Sequence, residues 1–169
     1  MDEIIEAIRS SKIKDVFFGS RGFSLCDESN INELQLGYSI QPDGSDLTGE
    51  DEGDWQKNWI VIGNDADIGD PFFVDTLDPL LPVYTAMHGM GEWNSEPVAT
   101  SLLCFLEALM YLKTIGKQDF ARIEPDENTI IGNKELAIIE NKLCNISGEE
   151  DYWKCFIEQH KEWVRESSS

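Results

Sequence analysis

The residues best suited to chemistry in this sequence are acidic, and one group of them occupies the turn at residues 64–70. Asp65, Asp67 and Asp70 surround Gly69 in a spacing of oxygen ligands that is typical of calcium-binding loops. An EF-hand-like loop, however, places its glycine one position later and has a bidentate glutamate at its twelfth position, where this sequence has Thr76. We therefore expect a turn capped by Asp and Asn side chains, without a metal.

The second candidate is His88, which lies in the glycine-rich segment Met87-His88-Gly89-Met90-Gly91-Glu92-Trp93. An imidazole beside a carboxylate could act as a general base. No nucleophile motif accompanies it, because the sequence contains no GxSxG, HExxH or GxxxxGK pattern. The other histidine, His160, falls on an apolar helical stripe and is expected to be packed. We predict that the chain is not an enzyme and has no catalytic residue and no cofactor.

The third candidate is a run of acids at residues 43–54, which contains no basic residue. Such a run is usually a solvated loop. It is also what a docking surface requires, because Trp55 and Trp59 follow it and acids around a tryptophan anchor attract basic partners. Both interpretations remain open, and Trp59 is expected to be buried because its strand is apolar. The candidate partner-binding residues are Asp43, Asp46, Glu50, Asp51, Glu52, Asp54, Trp55, Asp65, Asp67, Asp70, Glu92 and Trp93.

The net charge favours a basic protein partner over nucleic acid. The chain has 33 acids and 13 bases, a net charge of -20. Between Gly22 and Leu112 the only basic residue is Lys57, so the excess belongs to the middle of the chain. This field repels polyanions and steers cationic partners toward the protein, with an effect that salt screens. We expect no binding to nucleic acid or to membranes.

The length and cysteine content indicate the broad class of protein. At 169 residues, 41% of them apolar, the chain can form a single domain with its own core. Cys26, Cys104, Cys144 and Cys155 show no CxxC spacing, and no signal-peptide pattern is found at the amino terminus. No apolar run approaches the roughly 20 residues that span a bilayer. We expect a cytoplasmic protein.

The elements that would position these residues are a helix, then strands, then more helices. Residues 1–14 have the pattern of a short amphipathic helix. Apolar segments flank a glycine-rich turn at residues 19–22, as in a loose hairpin or an irregular segment. The segment Trp59–Ile62 is apolar throughout, which predicts a central strand covered on both faces. The four predicted strands are at residues 36–40, 59–62, 72–74 and 83–86.

Three helices are predicted after the strands. The predicted starts are Ser95 as an N-cap with Pro97 in the first turn, Asn133 as a cap of a helix through Cys144, and Ser147 with Glu150 as a capping box. The last helix would carry a broad apolar stripe from Tyr152 to Val164, which we expect to pack against another part of the protein or against a partner. The predicted fold is α+β, a twisted antiparallel sheet of four or more strands flanked by helices, with a helical C-terminal extension.

The central part of the chain resembles the SUKH superfamily, which includes fungal cell-wall assembly regulators and many bacterial immunity proteins. The shared pattern is a Trp, an apolar strand ending in Gly and acids, a Gly-Asp turn, a second apolar strand ending in Asp, and a later helix. The residues that carry it are Gly53-Asp54-Trp55, Trp59–Asp65, Gly69–Asp75, Pro82-Val83-Tyr84, His88-Gly89 and Val98–Leu106. The resemblance covers residues 36–109, and the amino-terminal helix usual in the superfamily is not found in residues 1–35. It implies one SUKH-like domain over residues 1–169, with a core at 14–112 and a helical extension at 113–166.

The resemblance also implies a function, since many bacterial members are thought to neutralise polymorphic toxins, often nucleases, by direct contact. A nuclease must carry a basic groove for its substrate, which the acidic middle of this chain would suit. We predict an immunity protein that occludes a basic toxin domain. The alternatives are a regulatory or scaffolding module of the same fold, and a metal-dependent hydrolase built on Asp65, Asp67, Asp70 and His88.

Overall fold

A six-stranded antiparallel sheet and four helices form the fold in the computed structural model, which describes residues 1–168. The strands lie in the sheet in chain order, each hydrogen-bonded to the next. The elements are α1 (Asp2–Ser11), β1 (Asp15–Phe18), β2 (Arg21–Leu25), a 3-10 turn (Glu33–Gln35), β3 (Trp59–Asp65), β4 (Pro71–Asp75), β5 (Val83–Thr85), β6 (Glu96–Ala99), α2 (Leu102–Gly116), α3 (Asn133–Ser147) and α4 (Asp151–Ser167). The predicted α+β fold, a twisted sheet flanked by helices with a helical C-terminal part, is confirmed.

The amino-terminal elements follow from the local sequence. Asp2 and Glu3 occupy the first turn of α1, where the negative charge of a carboxylate interacts favourably with the helix dipole. Ile4 and Ile8 face the core. The apolar segments around residues 19–22 form the β1–β2 hairpin. Its turn needs Gly19, which has a φ of 58°, and a Cβ there would lie 2.5 Å from the His160 ring.

The prediction of a strand at residues 36–40 is wrong, because this segment is a turn with only isolated β-bridges. The Gln35 carbonyl accepts hydrogen bonds from the amides of Tyr38, Ser39 and Ile40, and Gly37 has a φ of 86°. This backbone curls and cannot continue as a strand. The alternating apolar pattern was misleading because Leu36 and Ile40 are exposed.

The helix predicted to start at Ser95 is also wrong, since the segment first forms β6. Pro97 is tolerated because β6 is an edge strand, where its missing N–H leaves no central ladder bond unmade. Val98 and Ala99 are buried in the sheet. The helix α2 begins at Leu102, and the Ser101 hydroxyl caps it by accepting from the Cys104 amide at 3.0 Å.

The starts of the last two helices differ in detail from the prediction. Asn133 is the first residue of α3, and Gly132 occupies the N-cap position. Ser147 is the last residue of α3, so it does not form a capping box with Glu150. Its hydroxyl instead accepts a hydrogen bond from the Glu149 amide at 3.1 Å. The short connection between the helices makes them antiparallel neighbours.

Both faces of the sheet are covered, but by different material. One face packs against the helices in the main core, to which Ile62, Phe72 and Trp153 belong. The other face carries a smaller cluster that contains Val61 and Phe73. The prediction of a central strand covered on both faces is therefore confirmed for β3, because Ile62 and Val61 are both buried on opposite sides.

The last helix packs on its own domain. Trp153 is fully buried, and its Nε1–H donates to the Val98 carbonyl of β6 at 3.0 Å. Phe156 contacts Phe18 and Phe23, with ring centroids 5.9 and 5.7 Å apart. The apolar stripe predicted from Tyr152 to Val164 therefore belongs to the main core as far as Ile157, whereas Trp163 and Val164 are half-buried. None of the helices formed by residues 1–168 combines the length and apolar character that crossing a bilayer requires.

His160 gives the fold a pH dependence. Its Nε2–H donates to the Ile130 carbonyl at 2.8 Å, so Nδ1 is the unprotonated nitrogen, and no residue within 1–168 bonds to it. Burial lowers the pKa of His160, and the Arg122 cation adds to this effect. The unfolded chain therefore binds this proton more readily than the folded chain does.

We expect stability from neutral His160 to be complete above the unfolded pKa of about 6.5 and to be lost as the pH falls below it. Urea unfolding at pH values about one unit on either side of that pKa measures the loss. A His160→Gln variant keeps a donor for Ile130 but cannot titrate, and should lose less stability between the two values. An equal loss in both proteins would contradict this role of His160.

Candidate functional site

The acidic loop, defined here as residues 43–54, leads to Trp55, which packs in the smaller cluster on the sheet face opposite the main core. Two of its acids fold the loop itself. Asp43 accepts hydrogen bonds from the amide and hydroxyl of Ser45 at 2.9 and 2.6 Å, and Asp46 does the same with Thr48 at 2.8 and 2.7 Å. These bonds lower the pKa of both carboxyls. Asp43 and Asp46 are therefore turn-capping residues.

Of the other four acids of the loop, one accepts a hydrogen bond within the loop and three have unengaged carboxylates, which make no hydrogen bond or ion pair within residues 1–168. Asp54 is half-buried and accepts from the Asp51 amide at 3.1 Å. The carboxylates of Glu50, Asp51 and Glu52 are exposed, and within residues 1–168 they make no hydrogen bond or ion pair. Three adjacent carboxylates without nearby cations repel one another. The positive charges of a basic partner would relieve this repulsion.

Trp55 was predicted to be a docking anchor, and this is wrong because only 1% of its surface is exposed. Its ring lies 4.7 Å from that of Phe73 and 5.0 Å from that of Tyr38, between centroids. Its Nε1–H donates to the Trp59 carbonyl at 3.3 Å. Trp55 thus holds the acidic loop on the sheet and is not available to a partner.

The rings around Trp55 form an aromatic cluster with a partly exposed edge. Its members are Tyr38, Trp55, Trp59, Phe73, Tyr84 and Trp93. Trp59 was predicted to be buried, but it is half-buried because it packs against the smaller cluster and not in the main core beneath the helices. Tyr38, Tyr84 and Trp93 are half-buried as well. These four rings are the aromatic surface that remains accessible.

Glu92 and Trp93 lie against the acidic loop. The Trp93 amide donates to the Gly53 carbonyl at 2.8 Å. A Cβ on Gly53 would lie 3.0 Å from that of Glu92, so the two segments touch. Glu92 is exposed and its carboxylate accepts from Asn94 at 3.0 Å. The structure therefore brings these two candidates together with the unengaged carboxylates of the loop.

The acids of the β3–β4 turn are not equivalent. Asp65 was a candidate for partner binding, and the structure excludes this, because it is 3% exposed and pairs with Arg21 at 2.6 Å. Its Oδ1 accepts from the amides of Asp67 and Ile68. Asp70 is largely covered and bonds His88. Asp67 alone of the three acids is exposed. The prediction of an Asp-capped turn is confirmed.

The hydrolase alternative required Asp65, Asp67, Asp70 and His88 to meet around a metal. In the part of the chain that the structure describes, no three His, Cys, Asp or Glu side chains are placed to hold one ion. His88 Nδ1 lies 2.6 Å from Asp70 Oδ1, while Asp65 is engaged by Arg21. The shallow cavity beside His88 is lined by Tyr38, Ile68 and Trp93, among others, and by no serine, threonine or cysteine.

Arg21, Tyr152 and Glu96 line one crevice at the end of the sheet, and no sequence pattern predicts a functional role for them. In the sequence, Arg21 lies in a glycine-rich turn and Tyr152 lies on an apolar stripe, a context that predicts packing of its ring. The one available signal is that Arg21 is the last base before the acidic middle of the chain. Their proximity depends on the packing of α4 against the sheet, which local patterns do not show.

Comparison with protein-family models, with curated proteins and with solved structures found no match for this chain. The class that fold and surface define is therefore a structural one, an α+β domain with an acidic loop over an aromatic sheet face. The resemblance to the SUKH superfamily stays a prediction from the sequence.

Proposed function

We propose that this chain is a non-enzymatic domain that binds a basic protein through the acidic loop and the edge of the aromatic cluster. The observation that carries the proposal is the unengaged carboxylate triplet at Glu50, Asp51 and Glu52, which lies beside the half-buried Trp93. Tryptophan is enriched at binding hot spots, and charges of one sign around it steer an oppositely charged partner toward the site.

The sheet face supports the same proposal. Tyr84 is half-buried, burial raises its pKa, and the Asp75 and Asp78 charges add to the effect. Acids thus border the aromatic cluster at this side also. Lys57 is the only base between Gly22 and Leu112, so little on this face opposes a cationic partner. The charges would speed encounter, and the partly exposed rings would supply contact area.

The partner that fits best is a small basic toxin domain of the nuclease type, which the domain would neutralise by occlusion. A protein that grips phosphates presents lysines and arginines along a groove. The SUKH-like sequence pattern supports an immunity role of this kind. We place the function in the cytoplasm, a proposal supported by the four free cysteines at positions 26, 104, 144 and 155.

The proposal is tested by capture from the native host with a tagged chain at low and high salt, followed by purification of the partner. A basic protein released by salt is expected. A neutral multi-protein complex that survives high salt would contradict neutralisation and favour a scaffolding role of the same fold. An empty eluate at low salt would also count against a basic partner.

Neutralising the carboxylate triplet should slow association with the captured partner. The variant Glu50→Gln/Asp51→Asn/Glu52→Gln changes no hydrogen bond of these side chains, so folding should be unchanged. We expect the association rate at low salt to fall by about tenfold and its salt dependence to flatten. Stopped-flow kinetics over a range of salt concentrations measure both effects.

The matched control makes the same change in charge elsewhere. Asp119→Asn/Glu124→Gln/Glu127→Gln alters three exposed acids on the connection between α2 and α3. This variant should associate at close to the rate of the unmodified chain, because charges outside the interface steer less. Equal rates for the two triple variants would show that the acidic loop is not the docking surface.

A further inference from the structure

A crevice of about 250 Å³ lies between α4 and the sheet, at the end where β3, β4 and β5 meet their turns. Its walls are apolar at Ile68, Phe72 and Phe156. Polar groups from Arg21, Tyr152 and Glu96 line the same space. The volume is below the roughly 300–1,000 Å³ of sites for drug-sized ligands, so a single small molecule is the largest occupant it fits.

Two residues that line the crevice each have a buried polar atom without a hydrogen-bond partner within residues 1–168. These atoms are Arg21 Nε and the Tyr152 hydroxyl oxygen. The other guanidinium nitrogens of Arg21 are used, since Nη2 donates to Asp65 and Nη1 to Gln159. Tyr152 is 8% exposed, and burial raises the pKa of its hydroxyl strongly, so it stays protonated. A buried donor left without an acceptor is costly, so an occupant should accept from both.

The charges around the crevice restrict that occupant further. Asp65, Asp70 and Glu96 face one cation, Arg21, so the site has an excess of negative charge and disfavours a simple anion. A simple cation is also disfavoured, because it offers no acceptor atom to the Nε–H group of Arg21. A molecule with a carboxylate and an ammonium group suits both conditions, because a carboxylate can accept hydrogen bonds from two donors and an ammonium group is attracted to the carboxylate of Glu96, which lines the same crevice.

We propose that this crevice binds a free α-amino acid with an apolar side chain. Its carboxylate accepts hydrogen bonds from Arg21 Nε–H and the Tyr152 hydroxyl, and its ammonium group faces Glu96. The side chain packs on Phe72, Phe156 and Ile68. The site is separate from the acidic loop, so this proposal is independent of the protein-binding function and can fail alone.

The test is a titration of the isotope-labelled chain with glycine, L-alanine, L-valine and L-leucine at millimolar concentrations, followed by NMR. We expect saturable shifts of the amide signals of Arg21, Ile68 and Tyr152 with at least one apolar member. That ligand with its carboxylate amidated, or with its amine acetylated, should not bind. Absence of saturable shifts with all four amino acids would overturn the proposal, as would equal binding of either blocked derivative.

The matched pair of variants is Tyr152→Phe and Tyr111→Phe. Tyr152→Phe removes only an unpartnered hydroxyl, so the melting temperature without ligand should not fall. Its affinity for the amino acid should fall by about tenfold, as expected for one hydrogen bond to a charged group. Tyr111 lies on α2 outside the crevice, and its variant should bind normally. Unchanged affinity in Tyr152→Phe would mean that the amino acid does not bind through this hydroxyl, and would overturn the assigned site.

Discussion

A Trp55→Ala variant is expected to lose about 3–5 kcal/mol of unfolding free energy. The ring is buried and contacts Tyr38, Trp59, Phe73 and Trp93, with centroids 4.7 to 5.3 Å apart. These neighbours are large rings attached to the sheet and loops, so they cannot collapse into the space that alanine leaves. Urea unfolding followed by circular dichroism measures the loss without depending on tryptophan fluorescence.

The control for Trp55→Ala is Trp93→Ala, a change of the same size in the same cluster. Trp93 is half-buried, so its removal leaves a surface depression and not a closed cavity. We expect it to cost less than half as much stability and to weaken binding of the basic partner instead. If both variants unfold at the same urea concentration, Trp55 does not hold the acidic loop on the sheet.

Three of the six strands, β3, β4 and β5, were predicted from the sequence, because these strands carry a strong local signal. β3 and β4 contain continuous apolar runs, and the turn between them contains the Asp and Gly residues that tight turns require. The β1–β2 hairpin was one of two options, since four- and five-residue strands give little periodicity. Local sequence patterns therefore predict an element correctly where its own residues, and not distant contacts, determine its conformation.

The errors lie where distant contacts decide the structure. The segment Glu96–Ala99 contains a proline in the position that a helix start favours, yet pairing with β5 makes it a strand. Helix α2 then starts at the next good cap, Ser101. Tertiary pairing has overridden a local propensity here, because the edge position removes the cost of the proline.

Trp55 shows the same limit at the candidate site. It follows six acids in twelve residues, and this context predicts exposure. Its burial depends on Phe73, 18 positions further along, and on Trp93, which is 38 positions away. Of the candidate acids, Glu50, Asp51 and Glu52 are exposed as a solvated loop requires, whereas Asp54 and Asp70 are half-buried and Asp65 is buried. The sequence therefore predicts the charge of the surface better than it predicts its aromatic part.

The Arg21–Asp65 pair links the hairpin to the β3–β4 turn from the inside of the fold. The two side chains are 12% and 3% exposed, which is unusual for ions in a chain whose other ion pairs include many exposed groups. Arg21 also packs over the Phe156 ring at 5.3 Å, which connects the pair to α4. Three elements therefore depend on one buried cation.

An Arg21→Met variant is expected to lose about 3–5 kcal/mol of unfolding free energy, because it leaves the Asp65 carboxylate buried without its cation. Methionine keeps an apolar stem on Phe156, so lost packing contributes little. The double variant Arg21→Met/Asp65→Asn should recover most of this loss. Asparagine has no charge, and its Oδ1 can still accept from the Asp67 and Ile68 amides.

Urea unfolding of the two single variants, the double variant and the unmodified chain completes a double-mutant cycle. A double variant as unstable as Arg21→Met would mean that packing on Phe156, and not the uncompensated charge, is the source of the loss. A fully stable Arg21→Met variant would mean that Asp65 is reached by water. In the expected result, the charge of Asp65 is what makes Arg21 necessary, since removing that charge removes the need for the cation.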